Sequence, residues 1–346
     1  MSRDRGGRPH LHSKHVEIDS CELRFETDCP AAMERLDDIC RATFFGGYYS
    51  YSINFSDSDG DPPTFRYLDR GAYDTSYQAQ EGLLTFEGPW SDVGGTTLLA
   101  AWLYFLSELV RQRHGEYLLH ASAVARDGRA IVLFGPRESG KTICAVDLCL
   151  RHGFQLFANN RIRAAVGDGC ARLLKGDTSL NLRFSSLSRY SESLCRSVFP
   201  APPKVGPSWQ RKQVVDPLSI GIQVAPPVAR ITTFIWIKLD ADNLNASIRE
   251  ISAATSSGEA FWAKADLYQE MSSLIRGAKF IPIVEGREFK EIFVPSLDDP
   301  EFVARRVDFL NTLFATAGAA IIRAPLDASI DAIVRLFERV SGPAQA

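Results

Sequence analysis

Apolar and polar residues alternate with a period of two through HVEIDSCELRFE (15–26), which predicts a half-buried strand. FRYLDR (65–70) and GLLTFEG (82–88) read as further strands, and the turn-forming residues of FSDSDGDPP (55–63) read as a loop. The pattern then changes to a helical one. TTLLAAWLYFLSELVRQRHG (96–115) predicts a long helix with basic residues in its last turn and Gly115 after it, packed onto a core by Trp102, Tyr104 and Phe105.

From Tyr117 the strands return. YLLHASAVARDGRAIVLFG (117–135) predicts two strands joined by a tight turn at Asp127-Gly128. KTICAVDLCLRHG (141–153) predicts a helix closed by Gly153. FQLFA (154–158) reads as a short buried strand, and NNRIRAAVGDGCARLLKG (159–176) as a hairpin turning at Asp168-Gly169. After a proline-rich loop in PAPPKVGP (200–207), ITTFIWIKLD (231–240) predicts a strand. GEAFWAKADLYQEMSSLIRG (258–277) and PEFVARRVDFLNTLFATAG (300–318) predict amphipathic helices, and the chain closes with strand AAIIRA and helix DASIDAIVRLFERV. No internal repeat is present.

The 346 residues fit two domains, and 45% hydrophobic with 23% charged residues is ordinary for a globular protein with a sizeable core. A net charge of -3 and a pI near 6.1 give no electrostatic footprint for nucleic acid. No apolar run is long enough to predict a membrane span. The first twenty residues are polar and basic, with no apolar segment of a secretory signal, and residues 1–15 read as a flexible tail; a metal site at the alternating His10, His12 and His15 is the lesser reading. Seven cysteines, odd in number and without a C-x-x-C pair, predict neither disulfides nor zinc, and fit a cytoplasmic protein. Cys144 and Cys149 read as small apolar residues of the helix. No G-x-S-x-G elbow supports a serine hydrolase. GREFKE and RRVDF read as solvated charged faces, and Arg323 as a surface ion-pair residue.

One motif carries chemistry. GPRESGKT, at Gly135, Pro136, Arg137, Glu138, Ser139, Gly140, Lys141 and Thr142, fits G-x-x-x-x-G-K-[ST], with an apolar strand leading in and a helix leading out. The glycines allow backbone conformations that turn N–H groups toward a phosphate, and the helix N-terminus favours an anion. Lys141 is expected to neutralise the outer phosphates of a nucleoside triphosphate, and the Thr142 hydroxyl to join the shell of Mg²⁺.

LLHASAVARDGRAIVLFGPRESGKT, followed by RHGFQLFANNR, resembles HPr kinase/phosphorylase and its shorter relatives, which are related to ATP-dependent phosphoenolpyruvate carboxykinase. The resemblance is clearest from Leu118 to Arg183 and follows the element order to about Val340. It implies an α/β P-loop kinase-like domain with a mixed sheet over 116–342, preceded over 16–115 by a small β-rich α+β domain ending in the long helix. It also implies ATP and Mg²⁺ as cofactors and an assembly of like chains. His120 matches a histidine that faces the nucleotide phosphates in these kinases. Asn159 and Asn160, before Arg161, stand where the family has paired aspartates, the first a general base and the second around the metal. Asn181, in LNLR, matches a glutamate that helps hold metal, and Lys212 loosely matches a basic residue near the transferred phosphoryl group. Thr142, Asn160 and Asn181 are thereby the metal set, and His120, Lys141, Asn159, Asn160 and Lys212 the catalytic set, to which Asp177 is added as a substituting carboxylate.

All three acidic positions are asparagine here, and an amide can neither take a proton at neutral pH nor lend a negative charge to a metal. Asp177, Glu138 and Asp168 are the carboxylates that can substitute. Trp209, Arg211 and Lys212 read as a flap over the phosphates. Two functions follow from these residues. One is a kinase that moves the γ-phosphoryl group of ATP to a hydroxyl of a peptide, small protein, amino acid or small metabolite, as tailoring enzymes of peptide natural products do among the shorter relatives. The other is a nucleotide-binding partner protein without transfer.

Overall fold

The computed structural model describes residues 10–18, 21–41, 53–56, 62–95, 98–201, 211–240, 246–251, 258–276 and 296–340. The chain divides into two units: Met1–His114 with Ser272–Val303, and Gly115–Met271 with Ala304–Ala346.

In the first unit the strands are β1 (His12–Ile18), β2 (Cys21–Thr27), β3 (Ile53–Ser56), β4 (Thr64–Asp69), β5 (Asp74–Gln78) and β6 (Leu83–Gly88). They lie in the order β3-β1-β2-β4-β6-β5 among the described residues. HVEIDSCELRFE is two antiparallel strands, not one, with Ile18 paired to Cys21. Strand β1 begins at His12, inside the stretch expected as a tail. Ser56 ends β3 and Phe55 lies within it, so the expected loop at 55–63 starts later; 57–61 lie outside the described residues.

Helix α1 (Pro30–Arg41) is absent from the sequence reading. Its proline sits at the first helical position, where the missing N–H costs nothing, and Ala32 and Leu36 are its buried face. A short helix α2 (Trp90–Val93) precedes α3 (Leu98–Arg113), which packs against β2, β4 and α1. Trp102, Tyr104 and Phe105 are buried in it as expected, with the Trp102 ring 5.4 Å from Phe86.

The second unit is a mixed α/β assembly. Its strands are β7 (Glu116–Leu119), β8 (Ser122–Arg126), β9 (Arg129–Phe134), β10 (Gln155–Asn159), β11 (Ile162–Gly167), β12 (Cys170–Gly176), β13 (Leu180–Arg183), β14 (Lys212–Val215), β15 (Ala229–Leu239), β16 (Ser247–Ile251) and β17 (Gly318–Ala324). The main sheet runs β10-β8-β9-β15-β12-β11-β7, with β17 also on β15 and β16 on β17; β13 and β14 form a separate ribbon. β15 is parallel to β9 and to β17, and the other named strand pairs are antiparallel.

Alternation in β9 buries both faces of the sheet. Ala130, Val132 and Phe134 join one core, and Ile131 and Leu133 the other. Helices α4 (Lys141–Arg151) and α9 (Leu326–Val340) pack on the Ile131 side through Val146, Ile333 and Phe337. Between them in the chain come α5 (Phe184–Tyr190), α6 (Glu192–Val198), α7 (Gly258–Ser272) and α8 (Pro300–Thr316). Leu267, Phe309 and Leu313, from α7 and α8, pack on the Val132 side. Arg306, expected on a solvated face, is fully buried; its guanidinium donates to the Tyr268 hydroxyl at 3.2 Å. No helix among the described residues is long and apolar enough to cross a membrane.

The hairpin turns fall where expected. Asp127-Gly128 and Asp168-Gly169 have φ of 55°, 72°, 50° and 70°, the left-handed pairs that suit two-residue hairpins. The stretch before the motif is three strands, not two. β7 pairs with β11 and β8 with β10 and β9, so the chain changes partners at His120-Ala121.

That change dictates the shape of the sheet. β7 and β8 lie five places apart in the strand order, about 24 Å in a flat sheet at normal strand spacing. The link from Leu119 to Ser122 spans at most about 11 Å. The link from β10 to β11, through Asn160 and Arg161, covers five places under the same limit. The sheet therefore curls until its ends meet along a seam crossed by both links, and the Asn160 N–H donates to the Ala121 carbonyl there at 2.8 Å.

Candidate functional site

β9 delivers the loop 135–140 into α4. At Gly135, φ is +146° and a Cβ would strike the Ile237 carbonyl oxygen; at Gly140, φ is +95° and a Cβ would strike the Leu239 side chain. Only glycine fits either place. The loop is tied to β15 by the Leu239 N–H, which donates to the Ser139 carbonyl at 2.9 Å. Ser139 is buried, while Pro136, Arg137 and Glu138 are exposed. No side chain caps α4, and the first N–H groups of a helix have no partner within it.

Lys141 is 9% exposed, and its ammonium donates to the Gly135 and Pro136 carbonyls, both at 2.8 Å. It lies folded over the loop that precedes it. Burial pushes its pKa down to about 8; the Glu270 carboxylate works against that shift and the Arg137 charge adds to it.

Behind Thr142 the seam supplies a hydrogen-bond network centred on Asn159, which is 2% exposed. Its Nδ2 donates to the Ser179 carbonyl at 3.2 Å, which fixes the orientation of the amide. Its Oδ1 then accepts from the Thr142 hydroxyl at 2.9 Å and the Ser122 hydroxyl at 2.8 Å. Both lone pairs of that oxygen are used. The Thr142 proton is committed as well, so the Thr142 oxygen presents only lone pairs to the loop.

Asn160 follows with φ of +82°, a conformation that asparagine tolerates better than most residues. Asp177 is held on both sides of it: the Asn159 N–H donates to the Asp177 carbonyl at 2.6 Å, and the Asp177 N–H to the Arg161 carbonyl at 3.0 Å. One Asp177 carboxylate oxygen accepts from the Ser179 N–H at 2.9 Å and hydroxyl at 2.7 Å. His120 sits half-buried on the other seam link, beside Ala121. The seam thus gathers His120, Asn159, Asn160 and Asp177 from three separate stretches of chain.

Glu138, at φ of +63°, pairs with Arg183, which holds its carboxyl below the usual range; Lys212 adds to that effect. Arg183 faces Lys212 across the β13–β14 ribbon, and Asn181 faces Val214 there. Asp168 pairs instead with Arg172 at its hairpin tip. Arg323 lies 5.4 Å over the Trp236 ring, in place of the expected surface ion pair. Trp209 and GREFKE lie outside the described residues.

The sequence reading passed over Ser122, Ser179 and Glu270. A serine inside an alanine-rich strand carries no signal, Ser179 contributes its backbone carbonyl, and Glu270 lies 129 positions from Lys141 on a helix read only as amphipathic. For Mg²⁺ the residues at hand are a poor fit. Thr142, Asn160 and Asn181 bring no charge, the Asn159 oxygen is full, and no group of three or more His, Cys, Asp or Glu among the described residues is placed to hold a metal ion.

No family model matches the chain, and no curated protein matches it. It is similar to a solved structure of the Hpr(Ser) kinase/phosphatase from Coxiella burnetii, at 16% identity, over 39% of this chain and 76% of that one, with a TM-score of 0.23. A likeness at that score is too slight to assign a function.

Proposed function

We propose that residues 135–142 bind the phosphates of a nucleoside triphosphate, and that the protein works as a nucleotide-binding member of the P-loop kind. The observation that carries this reading is the strand–loop–helix turn with Lys141 at its head. Two glycines that no other residue can replace shape the loop, an uncapped helix starts at its end, and a buried ammonium rests on the loop's own carbonyls. A buried cation whose hydrogen bonds go to neutral carbonyls gains most from an anion. Arriving phosphate oxygens would draw Lys141 off Gly135 and Pro136 and take the N–H groups at the start of α4. ATP and GTP share the phosphates read by this loop, and either suits it.

A second reading is γ-phosphoryl transfer to a hydroxyl of a peptide, amino acid or small metabolite. Asp177 supports it, because its backbone bonds to Asn159 and Arg161 bring an acidic residue next to Asn160, where the resemblance implies acids. In that reading Asp177 accepts the hydroxyl proton, and Lys141 and His120 flank the transferred group. Asn159 takes no part as a base, since its amide is saturated and cannot accept a proton.

The test is thermal unfolding with ATP. Wild-type chain is expected to gain several degrees of melting temperature at saturating ATP, and Lys141→Ala to gain none. Equal gains in both would remove Lys141 from the site. ADP formation dependent on an added hydroxyl acceptor, and lost in Asp177→Asn, would select the second reading.

A further inference from the structure

We propose, resting on the reading of 135–142 as a triphosphate site, that this site holds its nucleotide without a tightly bound divalent cation. Basic side chains of the chain itself balance the phosphate charge in the metal's place.

The seam is built for an amide. At position 159 the Nδ2 group satisfies the Ser179 carbonyl, and Oδ1 takes the Ser122 and Thr142 protons. A carboxylate there would set an oxygen against the Ser179 carbonyl oxygen, with no proton between them. Asparagine is therefore the residue the surroundings require, and no charge at 159 can serve a metal.

Mg²⁺ demands a near-octahedral oxygen shell and is ordinarily held by one or two carboxylates together with substrate phosphates. Three carboxylates near the loop have other engagements. Glu138 pairs with Arg183, Asp177 accepts twice from Ser179 through one oxygen, and Glu270 acts on Lys141. A fourth, Asp240, follows Leu239 at the end of β15 and is held there by its N–H on the Ala324 carbonyl.

Cations are better supplied. The Glu138–Arg183 pair brings the β13–β14 ribbon against the loop, and the ribbon's register places Lys212 opposite Arg183. Arg137, Lys141, Arg183 and Lys212 thus surround the loop, against the carboxylates of Glu138 and Glu270. Four positive charges against two negative leave a net of two, the charge that a divalent ion brings to a triphosphate elsewhere.

The experiment is a calorimetric titration of the full-length chain with ATP, once in excess EDTA and once in excess MgCl₂. The dissociation constants are expected to agree within about threefold. Binding seen only with Mg²⁺ overturns the inference and leaves the phosphate-site reading standing. Absence of binding in both buffers overturns the reading itself, and the inference with it.

A second arm uses Mn²⁺, whose free-ion paramagnetic resonance signal reports binding directly. Wild-type chain with ATP is expected to bind no more Mn²⁺ than ATP alone does. A tight Mn²⁺ site in the wild-type complex would contradict the proposal.

Discussion

On one side of the site, backbone shape does the work: residues 135–140 are held by two left-handed glycines and a bond to β15. On the other side, side chains do it. Asn159 ties together Ser122, Thr142 and Ser179, which lie up to 57 positions apart in the chain and meet only because the sheet curls. In the proposed reading, the first side is the one that meets the phosphates. The second has asparagine at all three positions where the resemblance implies acids. If the proposed reading holds, a cradle for an anion and the machinery to activate it are separable pieces of structure, the second here made largely of neutral groups.

Substitutions on the two sides should fail in different ways. Gly140→Ala should have the largest effect, because the new Cβ strikes the Leu239 side chain in a backbone region closed to alanine. A loss of about 3 kcal/mol in urea-unfolding stability is expected. Asn159→Ala should come next, at about 2 kcal/mol, because it strands two hydroxyls and a carbonyl in the seam. If Asn159→Ala proves harmless while Gly140→Ala is not, the seam network is ornamental.

The smallest effect is one of pH. Lys141, pushed down to about 8 by burial, regains its proton affinity when phosphate replaces neutral carbonyls. Nucleotide affinity should therefore be level below about pH 8 and fall about tenfold per unit above it. Stability without ligand should move the opposite way. The folded pKa lies below the unfolded one, so the unfolded chain binds more protons above about pH 8, and this group's contribution to stability rises with pH through that window. Calorimetric titrations and urea unfolding at matched pH values would show the two slopes.

The loop side was legible in the sequence because it is local. Eight consecutive residues, an apolar strand before them and a helix after them carry its pattern, although the β15 contacts at Ile237 and Leu239 lie about 100 positions on. The seam was legible only in part. The resemblance pointed to His120, Asn159 and Asn160, but nothing in YLLHASAVARDGRAIVLFG shows that the strand breaks at His120-Ala121, since both flanking stretches keep an apolar pattern. Which strands pair is decided by contacts remote in the chain, and Ser122, Ser179 and Glu270 became visible only with that pairing. Helix α1 was missed for a local reason: a proline opens it, and acidic residues thin its apolar stripe.

The most direct test of the central claim is the phosphorus NMR spectrum of ATP mixed with equimolar chain. The β- and γ-phosphate resonances should shift or broaden with wild-type protein and stay at their free positions with Lys141→Ala. Unchanged resonances with wild-type protein would contradict a phosphate site at 135–142.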